Sequence, residues 1–121
     1  MERVEEMIVT QISIDLSGIN RFEYVIAKQG DVNSRLLQVQ LLNNGKVYVL
    51  DDQTTARVSI TKPDKKEVVR DCEVNNNMVE VVLGANMLAV AGTAEAEILL
   101  TDSAGTVTSA SFDIKIVATN T

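Results

Sequence analysis

Cys72 is the first residue to consider for chemistry, because a thiol is an intrinsically strong nucleophile once it is deprotonated. It lies in Val69-Arg70-Asp71-Cys72-Glu73-Val74, a segment whose residue types alternate as in a strand. A nucleophile needs a base, and the sequence contains no histidine, which excludes Ser-His-Asp and Cys-His arrangements. We therefore expect Cys72 to be a small side chain packed on a strand, with a reactive thiol as the alternative. A single cysteine also excludes an intramolecular disulfide.

Aspartate-containing loops are the second class of candidate, because calcium binds several oxygen ligands held at fixed offsets along a loop. The two candidates are Asp51-Asp52 and Asp102-Ser103-Ala104-Gly105, and neither matches an EF-hand loop. Asp is also common at turns, where its carboxylate accepts hydrogen bonds from nearby backbone. Zinc sites need clustered cysteine and histidine, and the sequence has neither cluster. We expect these loops to be turns, and we expect no metal ion and no cofactor.

Two neighbouring carboxylates, Glu95 and Glu97, are the remaining candidates for acid–base catalysis. Residues two apart share one face of a strand, and the opposite face carries Ala94, Ala96 and Ile98, which are typical of a core. We therefore expect both glutamates to point to solvent. No glycine-rich phosphate loop is present. The sequence predicts no catalytic, cofactor-binding or metal-binding residue, and a protein that is not an enzyme.

Alternation with a period of two runs through most of the chain and predicts the strands that position these residues. In the last strand, for example, Phe112 and Ile114 face one way while Ser111 and Asp113 face the other. Residues 47–50 are either a brief strand or an extended link. The other predicted strands are 8–16, 22–27, 35–42, 55–62, 68–74, 78–83, 93–101 and 107–117.

One segment departs from this pattern and predicts a short helix. Residues 84–92 are rich in Ala, Leu and Met, which favour helices, and Gly92 would end the helix. We interpret Met87 and Leu88, with Ala91, as a plug at one end of the fold, and a partner-binding helix is the alternative. Short strands joined by tight turns predict an all-β, antiparallel β-sandwich, immunoglobulin-like in general architecture. Residues 1–121 are expected to form one domain.

The acidic composition argues against the binding of polyanions. The chain carries 11 Lys and Arg against 17 Asp and Glu, a formal net charge of −6, whereas nucleic-acid affinity comes largely from basic side chains. The most basic stretch, 62–66, reads as a turn around Pro63. No window approaches the ~18 apolar residues of a membrane span, and residues 1–6 lack the apolar run of a signal peptide. We expect synthesis in a cytoplasm and no binding to nucleic acid or membrane.

The order and spacing of several short motifs are similar to those of a known protein family. The chain resembles the N-terminal domain of phage baseplate upper proteins, which are found in siphophages and prophages of Gram-positive bacteria, over almost its whole length. The motifs are Lys28-Gln29-Gly30-Asp31, Ser34-Arg35, Ile60-Thr61-Lys62-Pro63-Asp64, Val79-Glu80-Val81-Val82-Leu83, Met87-Leu88-Ala89, Gly92, Ala96-Glu97-Ile98-Leu99-Leu100-Thr101-Asp102 and Ser111-Phe112-Asp113-Ile114.

The resemblance implies a β-sandwich in a structural protein of the virion tail baseplate, made in the cytoplasm of a bacterial host. In such proteins the N-terminal domain docks on the ring of distal tail protein, and a following segment carries trimeric receptor-binding proteins. The helical linker and C-terminal domain expected after Thr121 are missing from this sequence. We therefore expect either part of a longer protein or a short stand-alone version, which alone is a monomer or weak oligomer. The resemblance supplies no docking residues.

A carbohydrate-binding β-sandwich acting at the host cell surface is the alternative function. Sugar-binding platforms usually present aromatic faces, and aromatic residues make up only 3% of the chain. They are Phe22, Tyr24, Tyr48 and Phe112, and we expect Phe112 to lie in the core. This composition favours a module that binds other proteins over one that binds sugars.

Overall fold

A computed structural model of the chain describes residues 7–17, 24–32 and 34–118, and strands are the only regular elements in these ranges. The alternating pattern predicted each strand to within a few residues, although Phe22, the predicted start of the second strand, lies outside the described residues. The strands are β1 (Ile8–Asp15), β2 (Tyr24–Lys28), β3 (Arg35–Asn43), β4 (Lys46–Val47), β5 (Thr55–Thr61), β6 (Glu67–Asn75), β7 (Met78–Val82), β8 (Gly92–Thr101) and β9 (Val107–Val117).

The strands form one mixed sheet in the order β1-β3-β7-β6-β5-β8-β9-β2, with β4 paired to β3. The pairs β1–β3 and β2–β9 are parallel, and the other pairs are antiparallel. Because β1 also approaches β9, the sheet is nearly barrel-shaped. The predicted antiparallel sandwich was therefore wrong in its details, although the all-β class is correct. Alternation reports which face a side chain occupies, and it carries no information on the neighbour or direction of a strand.

Strand β6 is shared between two parts of the sheet. Its first part, residues 67–72, pairs with β5, and its last part, residues 73–75, pairs with β7. The chain turns into β7 at Asn76 and Asn77, which both have positive φ, as expected for a tight hairpin. The sheet therefore divides at β6 into a half built on β3 and a half built on β8.

The core lies between the inner faces of these two halves. Ile98, Phe112 and Ile114 are buried there, which confirms the faces assigned to them from the sequence, and Val81 of β7 is buried there as well. Phe112 is the one aromatic among the buried side chains of the described residues, so aliphatic packing supplies nearly all of the apolar burial. The largest fully buried side chains are Leu37, Leu41, Ile60, Leu83, Leu88, Ile98, Ile114, Val39, Val58 and Val79.

The predicted helix over residues 84–92 is wrong, because this segment is a series of turns. The amide of Leu88 is shared between the carbonyls of Gly84 and Ala85 at 3.3 and 3.2 Å, a bonding pattern that does not continue into a helix. In so short a segment intrinsic propensity adds little against the cost of helix nucleation, so tertiary contacts decide the conformation. Met87 and Leu88 are nevertheless buried, so the segment closes one end of the core as predicted. Among the described residues, no helix is long and apolar enough to cross a membrane.

The pairing pattern places the connections at two ends of the sheet. One end, here called the motif end, consists of the connections 29–34, 62–66 and 83–91, and these contain all or part of the motifs 28–31, 34–35, 60–64 and 87–89. The opposite end, here called the aspartate end, contains the connections 44–45, 48–54, 76–77 and 102–106 together with Asp15.

Asp15 ties the end of β1 to the turn between β3 and β4. Its carboxylate accepts hydrogen bonds from the backbone N–H groups of Ser17 (2.9 Å), Asn44 (3.0 Å) and Gly45 (2.8 Å) and from the Ser17 hydroxyl (2.7 Å). The bonds from Ser17, followed by that from Gly45, lower the pKa of Asp15 to about 2. The charged form of this carboxylate therefore stabilises the aspartate end.

Acid is expected to weaken the fold through Asp15. The pKa of Asp15 is lower in the folded chain than its ordinary value of 3.8, so its contribution is complete above about pH 4 and is lost as the pH falls toward 2. Asp15→Asn removes the charge at every pH. The urea midpoint of the wild type should exceed that of Asp15→Asn at pH 7, and the difference should shrink between pH 4 and pH 2. A difference of equal size at both ends of this range would contradict the role of the charge.

Candidate functional site

The connections of the motif end hold one another in place. The amide of Gly30 donates to the carbonyl oxygen of Leu88 at 3.0 Å, and Nε2 of Gln29 donates to that of Ala89 at 3.0 Å. Nζ of Lys62, a buried lysine, donates to Oδ1 of Asn86 at 3.3 Å. These contacts give the motif residues a structural purpose, so the motifs by themselves do not mark a binding surface.

Gly92 and Pro63 lie close together at the motif end. Gly92 has φ of +130°, and a Cβ added there would lie 3.0 Å from Cβ of Pro63. Only glycine combines this backbone conformation with so close an approach. In the connection 29–34, Oδ2 of Asp31 lies 2.6 Å from Nε of Arg35, the first residue of β3. These two residues form a half-buried ion pair.

The two aspartate loops that the sequence offered for calcium lie next to each other at the aspartate end. Asp51 accepts hydrogen bonds from the amide of Gln53 (2.9 Å) and the hydroxyls of Thr54 (3.1 Å) and Ser103 (3.1 Å). The hydrogen bond from the Gln53 amide is the largest cause that lowers the pKa of Asp51 below its ordinary value. Asp102 accepts from amides within its own loop. Both carboxylates thus serve turns, as expected, and no group of three or more His, Cys, Asp or Glu suited to a metal occurs within the described residues.

Calcium is expected to leave the stability of the chain unchanged. Both carboxylate oxygens of Asp51 and Oδ1 of Asp102 already accept hydrogen bonds from the turns they hold. Melting temperatures measured with EDTA and with added calcium should therefore coincide. A clear rise with calcium, abolished in Asp51→Asn, would show that these loops form a calcium site.

Cys72 lies on the inner side of β6, opposite Ala56, and is half-buried. It lines an acidic cleft of about 500 Å³ together with Asp51, Asp52, Asp71 and Glu73. Burial, followed by the negative charges of Asp71 and Glu73, raises the pKa of the Cys72 thiol to about 11. The thiol is therefore protonated at neutral pH, which favours the packing interpretation over a reactive nucleophile.

Glu95 and Glu97 are exposed on the outer face of β8, as expected. Their cross-strand neighbours are acidic or hydroxyl residues: Glu95 lies opposite Asp113 on β9, and Glu97 lies opposite Ser59 on β5. No cleft encloses them among those found in the described part of the chain. The pair is a solvated surface feature.

The aromatic residues are dispersed over the structure. Phe112 is buried, Tyr48 is half-buried against the core at the aspartate end, and Tyr24 is exposed on β2. Nζ of Lys115 lies 4.4 Å from the centroid of the Tyr24 ring, as in a cation–π contact. The fourth aromatic, Phe22, lies outside the described residues. The described aromatics do not form the shared platform that a sugar would need.

Apolar side chains on the outer faces are the surface feature that sequence reasoning missed. Tyr24, Ile26 and Val117 are exposed on β2 and β9, and Val9 and Val82 are exposed on the other half of the sheet. A signal was present, because residues 24–27 read Tyr-Val-Ile-Ala and are apolar on both faces. Such exposed apolar surface can be buried against another protein.

Comparisons with known proteins agree with this all-β architecture. A family model described as the BppU N-terminal domain matches residues 8–120. The solved structure of the "N-terminal domain of phage TP901-1 ORF48" is similar, with a TM-score of 0.69 and 17% identity, covering 92% of this chain and 99% of that chain. CopC from Methylosinus trichosporium OB3b has a TM-score of 0.54 and 12% identity, covering 84% of this chain and 89% of that chain. No curated protein matches the chain.

Proposed function

The chain belongs to the family of BppU N-terminal domains, and on this premise we propose that it is a docking module that attaches to the ring of distal tail protein in a phage baseplate. Membership of the family makes the chain a structural component of the virion tail, as the resemblance implied, and implies interaction with other tail proteins. The observation that carries the proposal is the family match over residues 8–120.

Two features of the surface support a role in binding rather than in catalysis. The candidate aspartates accept hydrogen bonds within turns, and the candidate glutamates point to solvent. The thiol of Cys72 is partly buried and has a raised pKa. Exposed apolar side chains such as Ile26, at 55% exposure, offer area that a protein partner can cover.

The proposed function includes a role for the chain within a longer protein and within the assembled baseplate. Residues 1–121 act as the N-terminal domain of a longer baseplate protein whose further segments carry the receptor-binding proteins. Each copy binds the ring with modest affinity. Attachment of many copies around the ring supplies avidity through effective concentration.

Sedimentation velocity of the chain mixed with its cognate distal tail protein tests this function. Alone, the chain should sediment as a monomer or weak oligomer, and in the mixture it should move with the distal tail protein. The absence of a complex at tens of micromolar would contradict the proposal. If the chain instead bound purified cell-wall polysaccharide, the result would favour the carbohydrate-binding alternative.

A further inference from the structure

The division of β6 between two partners opens a cleft at the motif end. From Glu67 to Cys72 the strand follows β5, and only from Glu73 onward does it pair with β7. The first part of β6 and the last part of β7 therefore diverge, and a cleft of about 430 Å³ lies between them. Buried core side chains form its floor, and these are Val58, Val81 and Met87.

The walls of this cleft are open strand edges. A strand paired on one side directs every second N–H and C=O group to the other side. Within the described residues, 67–72 have no strand partner on the side away from β5, and 81–82 pair with β3 alone. In this part of β6, Nη1 of Arg70 donates to the carbonyl oxygen of Val69 at 2.9 Å, so a side chain serves a backbone acceptor.

Glu73 and Glu80 meet at the closed end of the cleft as a directly opposed cross-strand pair. Like charges in this position are destabilising. Nε2 of Gln38 donates to Oε2 of Glu80 at 3.1 Å, a neutral contact that leaves the negative charge in place. The charged side chains lining the cleft are Arg70, Asp71, Glu73 and Glu80. The cleft therefore has one cation and three carboxylates, and its lining is acidic.

We infer that this cleft binds an extended segment of the distal tail protein that carries a lysine or arginine. An extended chain is the ligand that satisfies open strand edges, because its main chain supplies the missing hydrogen bonds. The basic side chain of the segment lies against Glu73 and Glu80, where charge-assisted hydrogen bonds offset their repulsion. The inference rests on the proposed function and assigns it a surface.

Paired variants separate the cleft from the overall charge of the chain. Glu73→Gln/Glu80→Gln removes the opposed charges in the cleft and retains the shape of both side chains. Glu95→Gln/Glu97→Gln removes the same number of charges from the outer face of β8, where Glu95 also opposes an acidic residue, Asp113. Both variants therefore relieve like-charge repulsion, and both are expected to melt at or above the wild-type temperature.

Isothermal titration with the distal tail protein should distinguish the two variants. The cleft variant is expected to bind at least about tenfold more weakly than the wild type, and the β8 variant is expected to bind as the wild type does. Amide hydrogen exchange should slow at residues 67–71 in the wild-type complex, because a paired strand edge is protected. Equal affinity of all three proteins, or protection confined to another surface, would overturn the inference while leaving the docking function intact.

A wild-type chain that binds no distal tail protein would refute the proposed function, and the cleft is then judged with a synthetic probe. The probe is an acetylated and amidated peptide of alternating valine and lysine, titrated into the ¹⁵N-labelled chain. Saturable shifts confined to residues 67–73 and 80–87, weakened in Glu73→Gln/Glu80→Gln, would support a strand-binding cleft. Their absence at millimolar peptide would overturn it.

Discussion

Phe112→Ala is expected to lower the free energy of unfolding by about 3–5 kcal/mol. Phe112 is buried on β9 opposite Ala96, and it is the one buried aromatic among the described residues. A small neighbour offers no atoms that could fill the space left by the ring, so the cavity persists and adds to the lost transfer free energy.

Ser111→Ala is the control for this change, because Ser111 is the preceding residue and is exposed on the opposite face of the strand. Its effect should stay within about 0.5 kcal/mol. Urea denaturation of both variants gives the comparison. Equal and small shifts of the two midpoints would mean that the faces of β9 are reversed, and with them the register of β9 against β8.

Leu88→Ala is expected to cost about 2–5 kcal/mol, although Leu88 lies in a connection without regular structure. The side chain is fully buried at the motif end, and the carbonyl of the same residue holds the amide of Gly30. Loss of the side chain therefore opens the end of the core and loosens the connection that packs on it.

Val49→Ala is the matched change in a different connection, where the side chain is 78% exposed. It should alter stability by no more than about 0.5 kcal/mol. Thermal and urea denaturation would measure both variants. An effect of Leu88→Ala as small as that of Val49→Ala would show that residues 84–91 are dispensable for the fold, contrary to their role in closing the core.

The sequence predicted the strands and their inner faces well, because both follow from local alternation. Val81, Ile98 and Ile114 all lie where the period of two places them. The partners of β1 and β2 could not be predicted in the same way. Each pairs in parallel with a strand that is not its hairpin neighbour, and parallel pairing depends on tertiary packing rather than on a turn signal.

The error at residues 84–92 has a similar origin. Helix propensity was read from Ala85, Met87 and Leu88, but the carbonyls of Leu88 and Ala89 are bonded by Gly30 and Gln29 from a distant connection. Tertiary hydrogen bonds thus replaced the local ones that propensity describes.

The cleft beside β6 was also beyond sequence reasoning. Glu73 and Glu80 lie in segments whose alternation shows only that both residues face outward. Their opposition, and the open edges beside them, appear only because β6 changes partner at Glu73. Composition alone, by contrast, excludes Ser-His-Asp and Cys-His arrangements, since the sequence contains no histidine.

Immunogold labelling of purified phage particles with antibodies against this chain tests its central role most directly. A structural component of the baseplate should be labelled at the distal end of the tail, in several copies per particle. Label on the capsid, or along the tail tube with none at the tip, would contradict a role in the baseplate.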